Sequence, residues 1–274
     1  MSQTIKIHTQ ATIDFEKVYD FLQKSDKAVV GLGRSENMVY FYSNGYSTRG
    51  IDVSKENIGY EIRLPTLANV ADYKLANNVV LFFKINVPGA VIVFDDNEVF
   101  TTNVFLTNNL KSYFKSDAEL VYQLAMQHQT PITLFAAGNE YYIGRYVFSK
   151  IRMDEDGWEL RLEALIQQVL YKLPNSESDN VLQIGQGDES KTAKLVTAHV
   201  SYILKKYDVL LFNKSKDSNH INDLLFLTND TLNENLPTSW ERIDDYTIIA
   251  PSLGWDVYSE YVKMMLPHHQ NILF

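Results

Sequence analysis

The chain contains no cysteine. This absence excludes a disulfide framework, thiol catalysis and metal sites built from thiolates. Long apolar runs are absent as well, and those present are far shorter than a membrane span requires. No basic segment followed by an apolar one comes after Ser2. We therefore expect no secretory signal, no membrane attachment and a cytoplasmic protein.

Positive charge is in short supply, since 34 Asp and Glu residues face 25 Lys and Arg residues and give a formal net charge of -9. The basic residues are scattered along the sequence, so this charge repels nucleic acid and predicts no nucleic-acid partner. An acidic, aromatic-rich surface suits a cationic protein partner. The alternative is that the charge only keeps the protein soluble.

The remaining composition is that of a folded protein, with 45% apolar residues, 17 Tyr and 14 Phe. A chain of 274 residues forms one large domain or two smaller ones. The stretch from Pro174 to Asn180 is polar and has no large apolar residue, which is typical of a linker. We predict domains at residues 1–174 and 181–274, with a single domain as the alternative.

The clearest pattern in the sequence predicts a strand, a helix and a second strand. Alternating side chains indicate a half-buried strand from Gly59 to Leu64. Thr66 or Asn69 caps a helix that begins near Val70 and has one broad apolar face. The apolar run from Ala90 to Phe94 is typical of a central strand, and an acidic turn follows it. This pattern concerns the fold and contains no chemistry.

Similar patterns elsewhere predict an α+β fold with mainly antiparallel or mixed sheets and helices packed on one side. Before the linker we expect strands at residues 4–8, 27–32, 38–42 and 132–136, helices at 14–24, 103–114 and 117–126, and a hairpin between Tyr141 and Tyr171 that turns at 154–157. After the linker we expect strands at 181–184, 209–212, 224–228 and 246–250, a helix from Lys191 to Lys206, and a last helix that ends before Pro267.

One segment resembles a phosphate-binding loop. GQGDESKT, from Gly185 to Thr192, is predicted to follow a strand and open a helix, as such loops do. In a nucleotide site, Gly185 and Gly187 would let the backbone wrap around phosphate, Lys191 would contact the terminal phosphates and Thr192 would bind magnesium. Ser190 stands where these loops have glycine, and the alternative is a polar loop in which Ser190 caps the next helix.

The other motifs favour ordinary structural roles. The segment VGLGRS, Val30 to Ser35, lacks the third glycine and the following helix of a dinucleotide fingerprint, so we interpret it as a turn. Asp95 and Asp96 are interpreted as turn residues and not as magnesium ligands. The six histidines show no metal spacing, with His268 and His269 in an exposed tail and His199 on a helix. The group Arg49, Tyr60, Arg63 and Asp72 forms a pocket or, alternatively, surface ion pairs. We predict no catalytic residue, cofactor or metal.

The block from Ser47 to Thr102, which includes TRGIDVS, GYEIRLPTLANVADYKLANNVVLF and AVIVFDDNEVFTT, resembles a group of uncharacterised bacterial cytoplasmic proteins known as a domain of unknown function. Some of them look like immunity or accessory components of toxin systems. The resemblance covers residues 47–102 and implies no site residues. Our leading hypothesis is a non-enzymatic, immunity-like or regulatory protein that binds another protein. The alternatives are a nucleotide-binding protein or enzyme, and a phage-derived or structural assembly component.

Overall fold

A computed structural model describes residues 2–105, 109–136, 139–151, 153–172, 181–185, 190–216 and 220–270. The chain divides into two compact units, Met1–Pro174 and Asn175–Phe274, and the division falls at the polar stretch that the sequence marks as a linker. Helices and mostly antiparallel sheets are mixed in both units, so the predicted α+β class is confirmed. Among the described residues, no helix is both long and apolar enough to cross a membrane.

A seven-stranded antiparallel sheet forms the centre of the first unit. Its strands lie in the order β2, β3, β4, β5, β1, β6, β7. They are β1 (Gln3–His8), β2 (Val29–Ser35), β3 (Met38–Ser43), β4 (Ile51–Glu56), β5 (Gly59–Leu64), β6 (Val91–Phe94) and β7 (Asn97–Glu98). β1 lies between β5 and β6 and pairs antiparallel with both. The two strands that were predicted on either side of the helix, β5 and β6, are therefore not neighbours in the sheet.

Helices pack on one face of this sheet, over a core that includes Ile5, Phe41 and Ile62. α1 (Phe15–Ser25) begins at Asp14, whose carboxylate accepts the Glu16 amide. α2 (Val70–Asn86) begins at Asn69, so of the two predicted caps the structure uses this one. α3 (Leu110–Gln127) is one continuous helix where two were expected. Part of the first expected helix, residues 106–108, lies outside the described residues.

The predicted hairpin between Tyr141 and Tyr171 is wrong. β9 (Asn139–Ile143) pairs antiparallel with the preceding strand, β8 (Ile132–Ala136), and not with a later one. The residues after β9 form α4 (Arg145–Ile151), α5 (Trp158–Gln167) and a short π-helical turn, Gln168–Lys172. Trp158, Leu162 and Ile166 are buried at helical spacing, whereas Leu160, expected on the same strand face, is 66% exposed. The buried residues of this segment therefore recur every four residues, as on one face of a helix, and not every two, as in a strand.

The described residues of the second unit form two small sheets and two α-helices. One sheet has the order β10 (Val181–Ile184), β11 (Lys191–Val196), β13 (Val209–Asn213), β14 (Leu224–Leu227), and the other has the order β12 (Tyr202–Leu204), β16 (Ile248–Ala250), β15 (Glu241–Arg242). A short α6 (Asn229–Glu234) and the terminal α7 (Trp255–Met265) complete it. Tyr258 of α7 joins the two parallel strands β11 and β13, because its hydroxyl donates to the Val196 carbonyl and accepts the Asn213 amide.

The predicted helix from Lys191 to Lys206 is also wrong, because these residues form β11 and β12. Pairing explains the difference: β11 is bonded to β10 on one side and to β13 on the other. His199 accordingly lies in a left-handed turn and not on a helix.

Candidate functional site

A buried carboxylate organises the loop between β3 and β4. Asp72 of α2 has no exposed surface. Its Oδ2 accepts the amides of Thr48 (3.3 Å), Arg49 (3.0 Å) and Asn69 (3.0 Å) and the Thr48 hydroxyl (3.1 Å), while Oδ1 accepts the Gly50 amide (2.9 Å). A carboxylate held by several backbone amides fixes the loop firmly. The role of Asp72 is therefore structural.

Arg49 connects this loop to the β8–β9 hairpin. Its guanidinium donates to the carbonyl of Thr66 (2.9 Å) and to that of Phe135 in β8 (3.3 Å). Its own carbonyl accepts the hydroxyl of Tyr40 (2.8 Å), a buried residue of β3. The sequence grouped Arg49 and Asp72 with Tyr60 and Arg63, but the structure brings only the first two together. Tyr60 instead bonds Ile13, and Arg63 is exposed.

The free edge of the seven-stranded sheet is β2. Two hydrogen bonds show which residues of β2 bond to β3. The Asn44 amide donates to the Ala28 carbonyl (2.8 Å), so the bonded positions of β2 are its even-numbered residues. The Lys55 amide donates to the Asn37 carbonyl (2.7 Å), so β3 bonds to β4 through its odd-numbered residues and to β2 through its even-numbered ones. Because alternate residues bond to the neighbour in an antiparallel pair, Val30 and Leu32 bond to β3. The amides and carbonyls of Gly31 and Gly33 therefore point away from the sheet.

Only the beginning of this edge is closed. The Gln23 side chain donates to the Val29 carbonyl, and the Val29 amide donates to the Asp26 carbonyl (3.2 Å). A bulge between Gly33 and Ser35 ends the regular pairing. Within the described part of the chain, nothing occupies the outward groups of Gly31 and Gly33, and the strand is exposed from Leu32 onward.

The two glycines of this edge, Gly31 and Gly33, differ in the space available for a side chain. A Cβ on Gly31 would lie 3.0 Å from the Phe41 ring and 3.3 Å from the Tyr19 ring, so a larger residue there would crowd these two rings on the helix-covered face of the sheet. A Cβ on Gly33 would have no atom within 4 Å. Packing therefore does not explain Gly33. Glycine within a strand often marks a bulge, which lies beside Gly33 here, or a place where another backbone approaches closely.

A groove lies beside this edge on the face away from the helices. It has a volume of about 380 Å³ and is lined by Leu32, Gly33, Arg34 and Tyr40 of the sheet and by Phe135, Ala136, Asn139 and Glu140 of the hairpin. Leu32 is 41% exposed and Phe135 is 57% exposed, so both offer apolar surface to an occupant. Tyr40 stacks on Tyr42, whose pKa is raised because it is partly buried.

Comparison of the chain with protein-family models, with curated proteins and with solved structures finds no match. The site is therefore judged on its own geometry.

The predicted nucleotide residues lie in a different setting from the one expected. Gly185 ends β10 in a left-handed conformation, and Gly187 lies outside the described residues. Lys191 and Thr192 are the first residues of a strand, with Lys191 opposite Ile184. The segment thus connects two antiparallel strands, and the helix N-terminus on which the phosphate argument depended is not there.

The Thr192 hydroxyl is already engaged. It donates to Asp208 Oδ2 (2.8 Å), which also accepts the Thr192 amide (2.7 Å). These two bonds, together with the charges of Lys191 and Lys206, lower the pKa of Asp208. A carboxylate therefore holds the group that was expected to bind magnesium.

The remaining motifs have structural explanations. Asp95 and Asp96 form the turn between β6 and β7, as predicted, and both have positive φ. No cluster of three or more His, Asp or Glu suited to a metal occurs among the described residues. His269 is not in a free tail, because its Nδ1 accepts the Phe226 amide (3.2 Å) and its ring packs on Phe226.

Sequence reasoning missed the edge and the groove. It predicted a strand at residues 27–32 that pairs with residues 38–42, as β2 and β3 do, but it interpreted the motif from Val30 to Ser35 as a turn, whereas β2 continues to Ser35. The alternation of Val30, Leu32 and Arg34 with glycines was the available signal. No local pattern relates Leu32 to Phe135 and Glu140, which only the folded unit brings to one groove.

Proposed function

We propose that this is a non-enzymatic protein that binds another protein by accepting an extended segment of it at the free edge of β2. The observation that carries the proposal is the pair of outward-facing peptide groups at Gly31 and Gly33. An exposed edge is a template for a further strand, and strand addition is a common mode of peptide recognition.

Two other edge strands, β7 and β14, contrast with β2. β7, at the opposite edge of the same sheet, is only two residues long and offers little to pair with. In the second unit, the edge strand β14 is covered, because Phe226 donates its amide to His269 and accepts the Gln270 amide (3.0 Å). Proteins usually close or shorten their edges, so a longer open edge calls for a functional reason.

The finer features of the proposal rest on sequence. The net charge of -9 favours a cationic partner. The resemblance at residues 47–102 favours a cytoplasmic bacterial protein that neutralises or regulates an effector. Among the described residues of the segment from Gly185 to Thr192, Lys191 and Thr192 begin a strand, which does not favour the nucleotide alternative.

The test compares capture from a host lysate by three immobilised proteins: the wild type, Gly33→Pro and Gly33→Ala. Proline removes the outward amide of Gly33, which donates to nothing in the sheet, so the substitution removes no hydrogen bond of the sheet. Alanine keeps that amide and has free space for its Cβ. Circular dichroism and the melting temperature confirm that all three are folded.

The expected result is a stoichiometric partner that the wild type and Gly33→Ala retain and that Gly33→Pro loses. Equal retention by folded Gly33→Pro would show that β2 is not the binding edge. A large homo-oligomer in solution would favour the assembly alternative instead.

A further inference from the structure

We infer that the strand that adds to β2 places a basic side chain, arginine or lysine, in the groove between Leu32 and the β8–β9 hairpin. This inference rests on the proposed function and names the chemistry that the same site recognises.

The register of an added strand determines which of its residues meets the groove. Every pairing in the seven-stranded sheet is antiparallel, and an antiparallel strand would bond to the outward groups of Gly31 and Gly33. The residue between those two bonded positions then lies opposite Leu32. Directly opposite residues have side chains on the same face, so this one side chain extends over the groove.

The far wall of the groove combines an apolar and an acidic group. Phe135 and Glu140 are directly opposite each other in the β8–β9 pair, so their side chains are neighbours on one face. A side chain with an apolar stem and a cationic end fits these two groups. Its stem would contact Leu32 and Phe135, and its charge would lie near Glu140. Long basic side chains commonly divide in this way between apolar and polar surroundings.

The charges around the groove also favour a cation. Arg34 is the basic residue in the lining, and it is already engaged: its Nε lies 3.5 Å from Asp52 Oδ1 and its guanidinium lies 4.4 Å from the centre of the Tyr40 ring. Glu140 accepts the Tyr142 hydroxyl and forms no ion pair with the described residues. The unneutralised charge in the lining is therefore negative.

The Arg49 contact gives the groove a fixed geometry. Its bond to the Phe135 carbonyl holds β8 against the sheet, and the Asp72 network holds Arg49. The wall that carries Phe135 and Glu140 is thus positioned before an occupant arrives, which reduces the entropy lost on binding.

The experiment measures fluorescence anisotropy of two labelled threonine-rich peptides that differ at one central residue, arginine in one and citrulline in the other. Citrulline keeps the length and planar shape of arginine, removes its charge and exchanges two of its five N–H donors for a carbonyl acceptor. We expect the wild type to bind the arginine peptide about fivefold more tightly, as a partly exposed ion pair allows. Added salt should reduce this difference.

Two variants separate the groove from the edge. Glu140→Gln should lose most of the preference for the arginine peptide, because the carboxylate that attracts the positive charge is gone. Gly33→Pro should lose both, because the backbone pairing is lost, while Gly33→Ala should behave as the wild type does. Loss of binding when the peptide backbone is N-methylated at alternate residues would confirm the pairing.

The outcomes distinguish the two levels of the proposal. If both peptides bind the wild type equally and Gly33→Pro loses both, the preference for a cation is wrong and the binding edge stands. If neither peptide binds at millimolar concentration, the inference is overturned, and the lysate comparison decides the proposed function separately. A wild-type dimer that Gly33→Pro dissociates would show that a second copy fills the edge, which also overturns the inference.

Discussion

Replacing Asp72 tests whether one carboxylate anchors the loop that supports the groove. In Asp72→Ala, four backbone amides lose their acceptor in a fully buried place, while the Thr48 hydroxyl keeps the Leu67 carbonyl as an acceptor. Hydrogen bonds to a charged group contribute about 1.5 to 3 kcal/mol each, but they are not additive and the loop relaxes. Breaking a buried charged network typically costs about 3 to 5 kcal/mol, so we expect a loss of about 4 kcal/mol in the free energy of unfolding.

Asp72→Asn gives a graded version of the same change. Its amide oxygen can replace Oδ2 and keep four of the five bonds, but its NH2 group then faces the Gly50 amide, so two donors meet. We expect a loss of about 2 kcal/mol. The control is Asp20→Asn, on the exposed face of α1, which should lie within about 0.5 kcal/mol of the wild type.

Urea unfolding followed by circular dichroism and tryptophan fluorescence measures these losses. Trp158 is the tryptophan of the first unit, whereas Trp240 and Trp255 belong to the second. The destabilisation should therefore appear in the part of the fluorescence change that comes from Trp158. If Asp72→Ala were as stable as Asp20→Asn, the bonds to Asp72 would not anchor the loop and the argument for a preformed groove would fail.

Three further predictions concern other parts of the fold. Gly59→Ala should lower the free energy of unfolding by at least about 3 kcal/mol, because a Cβ there would lie 1.9 Å from the Ile7 carbonyl oxygen. Gly89→Ala is also at positive φ but has free space for its Cβ, so it should lower the free energy of unfolding far less. Urea unfolding measures both. Burial and the charge of Lys214 lower the pKa of His269. The stability that comes from its hydrogen bond with the Phe226 amide should therefore be complete above the ordinary histidine pKa and decline as the pH falls through the lowered pKa. NMR titration of the wild type and of His269→Ala checks this. Magnesium with ATP at millimolar concentration should not change the melting temperature, and a shift that Lys191→Ala abolishes would contradict the hairpin interpretation.

The sequence predicts those elements well whose contacts are local. α2 is the clearest case, because Asn69 caps it and its apolar stripe fits one helical face. β5 is another, since its alternation matches the burial of Tyr60, Ile62 and Leu64. In both, the short-range pattern and the final packing favour the same structure.

The errors occur where long-range pairing decides the structure. Residues 191–196 are not distinctly helical or extended on their own, and they become β11 because β10 and β13 pair with them on both sides. In α5, an apparent alternation around Leu160 coincides with a helical stripe, and the core selects the stripe. The groove follows the same rule, since its two walls come from distant parts of the sequence.

The geometry of β2 separates the strength of binding from its selectivity. Gly31 and Gly33 offer only backbone groups, and backbone pairing accepts almost any extended sequence. A glycine edge alone would therefore bind indiscriminately, and discrimination must come from the one side chain that reaches the groove. It follows that removal of the Gly33 amide, as in Gly33→Pro, should change whether partners bind, whereas substitutions at Phe135 or Glu140 should change which partners bind. A selection of peptides on the wild type and on Glu140→Gln, compared residue by residue, would show this division as a changed preference at one position only.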